Sequence, residues 1–150
     1  MRSNRTLISR LMCLSVFLVF FVGYGAADDL CLTLKSEDTN KTEIIISNVS
    51  FVAPVPEKEN LNEEWVEITN RGLNPQDLTG WILTDEGNHQ FVFPEGFTLD
   101  PDASVKIHTG LGEDTVTDIY WNRSTPVWNN DGDVATLLDS AGNIVTEYTE

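Results

Sequence analysis

Three oxygen-bearing side chains, Asn129, Asp131 and Asp133, stand at alternate positions around Gly132. Hard cations such as Ca²⁺ prefer ligands of this kind. The spacing departs from an EF-hand loop, whose obligatory glycine and final glutamate would fall on Val134 and Ser140. A glycine-assisted turn, with these groups hydrogen-bonded to the backbone, is the simpler reading. No cofactor is therefore expected, and Ca²⁺ is the one candidate cation. His89 and His108 are the only histidines. One borders a hairpin and the other points outward from a strand, as surface histidines do. Cys31 stands alone in a polar segment. The chain has no Gly-x-Ser-x-Gly turn, no His-Glu-x-x-His and no glycine-rich phosphate loop. With 24 Asp and Glu a glycosidase-type carboxylate pair could arise by number alone. No catalytic residue is singled out, and no enzyme is expected. The residue that stands out for binding is Trp65. Strict alternation places it opposite Val66 and Ile68 and beside Glu67. Either the Pro54–Asn62 loop covers it, or Trp65 and Glu67 form an exposed contact pair.

These residues sit on a framework of short strands. From Glu64 to Pro94 the pattern reads strand, polar turn, strand, tight turn, strand. Val66 and Ile68 share one face, Trp81 and Leu83 the next, and Phe91 and Phe93 repeat the alternation. Gly72, Asn74, Pro75 and Asp77 supply the first turn, Glu86-Gly87-Asn88 the second. Upstream, Ile44–Val52 is rich in β-branched residues. Downstream, Val105 and Ile107 point inward, Lys106 and His108 outward, and Asp118–Trp121 forms a short strand. Val134–Leu138, carrying Leu137, and Asn143–Tyr148 form a final hairpin. About eight strands with turn signals every eight to twelve residues predict an all-β, immunoglobulin-like antiparallel sandwich. No segment after residue 27 keeps a helical apolar period, so helix should be nearly absent. The expected core is Val66, Ile68, Trp81, Leu83, Phe91, Phe93, Val105, Ile107 and Leu137.

The first residues are of another kind. Arg2, Arg5 and Arg10 precede an apolar run, and Gly25-Ala26-Ala27 stands before Asp28-Asp29. That is the layout of a secretory signal peptide over residues 1–27. The alternative is an uncleaved anchor through residues 11–27, a run shorter than the about 20 residues a span needs. The expected location is extracytoplasmic, secreted or at the cell surface, with membrane contact only if that segment stays. Residues 28–43 read as a polar linker or edge segment, and residues 44–150 as the sandwich domain. The full chain carries a formal net charge of −15, and its first 27 residues hold no carboxylate. Such a charge repels nucleic acid and keeps the domain soluble. A monomer is expected. Asn40, Asn48 and Asn122 each open an Asn-x-Ser/Thr tripeptide, the acceptor pattern for glycosylation.

Several stretches together resemble the lamin tail domain. Val66-Glu67-Ile68-Thr69-Asn70, Leu78-Thr79-Gly80-Trp81, Phe91-Val92-Phe93-Pro94 and Phe97-Thr98-Leu99 fall in that family's order. Gly110-Leu111-Gly112, Tyr120-Trp121, the run from Val127 to Asp133, and Leu137-Leu138-Asp139 continuing to Val145 follow suit. The resemblance covers residues 44–149 and is closest to the exported prokaryotic type. It implies an immunoglobulin-like sandwich in which Trp121 and Trp128 close one end. Nuclear lamins carry the domain behind a coiled coil. This chain shows no heptads and no clustered basic residues, and it is expected to carry no attached enzyme.

The function expected is a non-catalytic binding or tethering module whose partner is a protein or a cell-envelope polymer. The alternatives are an accessory component of an exported hydrolase system and a Ca²⁺-dependent carbohydrate-binding module using Trp65.

Overall fold

The computed structural model describes residues 43–150. The signal-like segment, the linker up to residue 42, Cys31 and Asn40 lie outside the described residues. The strands are β1 (Ile44–Ser50), β2 (Trp65–Asn70), β3 (Gln76–Asp77), β4 (Ile82–Thr84) and β5 (Gln90–Val92). They continue with β6 (Thr98–Leu99), β7 (Ser104–His108), β8 (Asp118–Tyr120), β9 (Val134–Leu138) and β10 (Ile144–Thr149). Two short 3-10 turns, Glu57–Glu59 and Leu61–Glu63, are the only helical pieces among the described residues. The chain is thus an all-β, immunoglobulin-like sandwich.

One sheet runs in the order β1-β2-β7-β8 and the other β10-β9-β4-β5, with β3 and β6 forming a two-stranded ribbon. The stretch from Glu64 to Pro94 supplies an inner strand to each main sheet, β2 to the first and β4 to the second. Two features depart from the sequence expectation. The ribbon β3–β6 is not apparent in the sequence, where Asp77 of β3 reads as part of a turn, because two-residue strands carry no alternation. And β8 pairs with β7 in parallel, Ile107 beside Ile119. The segment from Thr109 to Thr117 crosses over instead of turning back as a hairpin would. It also closes the free edge it creates. Asp114 Oδ1 accepts the Tyr120 N–H at 2.9 Å, and the Thr115 N–H donates to the Asp118 carbonyl at 2.7 Å. Bulges interrupt β1 between Ile46 and Asn48 and β10 between Ile144 and Thr146.

Val66, Ile68, Trp81, Leu83, Phe93, Val105, Ile107 and Leu137 are buried in one cluster with Leu78, Ile119, Val127 and Trp128. Phe91 is half-buried against it. Its strand is the edge of its sheet, so one flank of the ring has no neighbouring strand. Aromatic rings form a continuous series through the interior. Tyr148 meets Phe51 at 6.4 Å between centroids, and Phe51 stacks on Trp128 at 4.9 Å. Trp128 meets Trp121 at 6.0 Å, and Trp121 meets Phe91 at 5.9 Å. Phe91 meets Phe93 and Phe93 meets Phe97, at 5.3 and 5.5 Å. Mostly tilted and edge-on contacts of this kind add to what area burial alone provides.

Two polar residues share the inward parity of Val66 and Ile68. Asn70 is 2 % exposed. Its amide donates to the Asn74 and Leu99 carbonyls at 2.8 and 2.9 Å, and its oxygen accepts the Gly72 N–H at 2.8 Å. It thereby ties the turn after β2 to β6. Glu64, fully buried, accepts the Val127 N–H on Oε2 at 3.2 Å. Its Oε1, the Thr109 hydroxyl and the Trp128 indole N–H are buried without a partner. Burial pushes the Glu64 carboxyl above its ordinary 4.5; the Val127 N–H pulls it back down and Glu57 adds a smaller push upward.

Candidate functional site

The outward positions of β1, β2, β7 and β8 make one polar and aromatic face. Register sets it out: Trp65 lies opposite His108, Glu67 opposite Lys106 and Thr69 opposite Ser104. A chain of hydroxyls crosses three strands. Thr69 donates to Ser47 Oγ at 2.7 Å, and Ser47 donates to Glu67 Oε1 at 2.7 Å. The Thr69 proton being spent, Ser104 donates to Thr69 Oγ1 at 2.7 Å. The protons all point toward one carboxylate, which polarises the series and fixes its side chains.

Beside this chain Lys106 Nζ sits 4.0 Å from the Trp65 ring centroid. Both side chains are half-buried. Cation–π contact of this type is worth about 0.5–1 kcal/mol at exposed sites. Further along, His108 stacks on Tyr120 with centroids 5.1 Å apart. Its Nδ1 faces the Asn62 carbonyl at 2.8 Å and its Nε2 faces Asp118 Oδ1 at 3.0 Å. Both partners are acceptors, so both contacts are hydrogen bonds only when both ring nitrogens carry protons. The Asp118 carboxyl is held below its ordinary range, first by the Thr117 hydroxyl and then by His108. Gly112 lets the backbone lie against Tyr120: an added Cβ would fall 2.3 Å from its ring. The face is thus a set of side chains held in place before any partner arrives.

The other residues singled out by sequence lie apart from this face. Asp133 is 3 % exposed. It accepts the Val134, Asn129 and Glu86 N–H groups at 2.7, 3.0 and 3.4 Å. Asn129 and Asp131 are exposed. The three do not present a common set of free oxygens, since the Asp133 carboxylate braces its own turn. No three His, Cys, Asp or Glu side chains converge as metal ligands among the described residues. Asn48 is exposed at the β1 bulge. Asn122 is exposed too, in a left-handed conformation with φ 59°. His89 braces the β4–β5 hairpin through Asp85, its Nδ1 2.7 Å from Oδ2. Sequence reasoning missed Lys106 and His108 as neighbours of Trp65, and Tyr120 as the ring stacked on His108. Lys106 and His108 were assigned outward, but only strand register brings them to Trp65. It also passed over Glu64 and Asn70, which alternation from Val66 and Ile68 places on the core face.

Two packed sheets and a preformed outer face define an immunoglobulin-like binding module. No curated protein matches the chain. Over residues 37–150 it matches the family model of the Lamin Tail Domain, and it belongs to that family. The family is one of immunoglobulin-like binding domains and is not typically enzymatic.

Proposed function

We propose that this chain is an exported, non-catalytic binding or tethering module that works at the cell surface. Its partner is a protein or an envelope polymer, held on the outer face of the β1-β2-β7-β8 sheet. The pairing of Trp65 with Lys106 beside the hydroxyl chain carries the reading. Aromatic residues are enriched where proteins grip partners, and side chains already fixed lose little freedom on binding. The signal-like layout of residues 1–27 supports export. The commitment of Asp133 to its turn, and of one Trp65 ring face to Lys106, favour this reading over a Ca²⁺-dependent carbohydrate binder. The protein works as a monomer without a cofactor. Capture on native envelope fractions tests the face. The double substitution Trp65→Ala with Lys106→Glu is expected to weaken capture at least about tenfold, as loss of a central anchor does. Undiminished capture by this variant, folded as the wild type, would remove the face from the proposal.

Duplex DNA is not a partner. Association with DNA rests on Lys and Arg meeting phosphates. The described residues hold only Lys58, Arg71, Lys106 and Arg123, in a chain of formal charge −15. Fluorescence anisotropy with a labelled duplex is expected to show no binding in the range of about 10⁻⁴–10⁻⁶ M where basic proteins bind non-specifically. Micromolar binding that weakens with salt would contradict this.

A further inference from the structure

We propose that the cleft between the 57–63 turns and the loops at 110–111 and 123–124 is a second ligand site. Its ligand is a small hydroxylated molecule bearing one anionic group, an acidic sugar unit. The cleft encloses about 380 Å³, near the lower end of small-molecule sites. It is lined by Lys58 and Arg123, two of the four Lys and Arg side chains among the described residues, and also by Glu59 and Glu63. No Lys or Arg nitrogen lies within 4.0 Å of a carboxylate oxygen among the described residues. Charges of both signs therefore stand in one cleft without forming a direct ion pair.

The walls are fixed in advance. The Asn60 amide donates to the Pro54 and Pro56 carbonyls at 3.0 and 3.1 Å, clamping the first turn. The Asn62 amide donates to the Leu111 carbonyl at 3.0 Å, joining the turn to the opposite loop. The Arg123 N–H donates to the Thr109 carbonyl at 3.0 Å, anchoring the strand of chain that carries the guanidinium. Gly110 allows the close approach, since an added Cβ would lie 2.3 Å from Asn62 Oδ1.

The charge pattern selects the ligand. A guanidinium fork matches a carboxylate or phosphate through two parallel hydrogen bonds, and a lysine adds a point charge. Glu59 and Glu63 can only accept, so they suit hydroxyl donors and repel further anions. The field of a chain at −15 excludes a densely charged polyanion. One anion flanked by hydroxyls satisfies both halves of the cleft.

Calorimetric titration of the full chain with D-glucuronate, glucose 6-phosphate and D-glucose tests this, the first two separating a carboxylate from a phosphate source. At least one charged sugar is expected to bind about tenfold or more tightly than glucose, and more weakly as salt rises. Arg123→Gln should reduce that binding about 10- to 100-fold, the loss of a charge-assisted hydrogen bond. Lys58→Gln, on an exposed turn where folding is not at stake, should reduce it in the same direction. Equal binding of glucose and the charged sugars, no binding of either charged sugar, or unchanged affinity in the Lys58 variant would each overturn the assignment.

Discussion

Replacing Trp128 by alanine is expected to cost about 3–5 kcal/mol of folding stability, as truncation of a buried aromatic does. In a domain of this size the melting temperature should fall by more than about 10 °C. Trp128 is 3 % exposed and lies within the ring series, stacked on Phe51 and edge-on to Trp121. Its removal opens a cavity and separates the rings near β10 from those near β5. Trp128→Phe keeps a ring against Phe51 and should lose less. The indole N–H has no partner, so the phenyl ring forfeits no hydrogen bond there. Thermal denaturation followed by circular dichroism measures both. A shift within about two degrees for the alanine variant would show that the series does not hold the sandwich together.

The second large effect concerns Glu64. Glu64→Ala leaves the buried Val127 N–H without its acceptor and empties a fully buried site. The expected loss is about 2–4 kcal/mol. Glu64→Gln keeps a carbonyl oxygen for Val127 and turns an amide toward the unpartnered Thr109 hydroxyl. The two variants also separate by pH. Burial raises the Glu64 carboxyl in the fold above its ordinary 4.5. The folded state then holds the proton more tightly than the unfolded chain. The resulting stability is fully present below pH 4.5 and is lost as pH rises through the folded value. Glu64→Gln cannot ionise, so its stability relative to wild type should climb over that interval and then level off. Asp77, Asp118 and Asp139 act with the opposite sign. Hydrogen bonds hold them below 3.8, so their contribution is lost only as pH falls beneath that. Parallel melts of wild type and Glu64→Gln from pH 3 to 8 decide the matter. A constant difference between the two across the range would show that Glu64 ionises in the fold as freely as in water.

The sandwich was legible because two-residue alternation is a local signal. Val66 and Ile68 against Trp65, Glu67 and Thr69, and Val105 and Ile107 against Lys106 and His108, can each be read within one strand. The face they build was not legible in the same way. Lys106 reaches the Trp65 ring from a strand far along the chain, and only pairing register brings the two together. The two-residue strands β3 and β6 are too short to show any period. The parallel placement of β8 depends on a crossover whose sequence reads as an ordinary loop. Glu64 and Asn70 illustrate a different limit. Their parity with Val66 and Ile68 points inward while their polarity points to the surface, and hydrogen bonds that close only in the fold resolve the conflict.

The loop that crosses from β7 to β8 has a consequence for how copies of this domain behave side by side. A bare strand edge is a template on which a neighbour's strand can add. On β8 the Tyr120 N–H and the Asp118 carbonyl are already taken by Asp114 and Thr115. Growth of a fibre from that side first requires the loop to peel away and give up those bonds. Molecules that meet side by side at β8 therefore touch through side chains, which can be exchanged, and share no backbone ladder there.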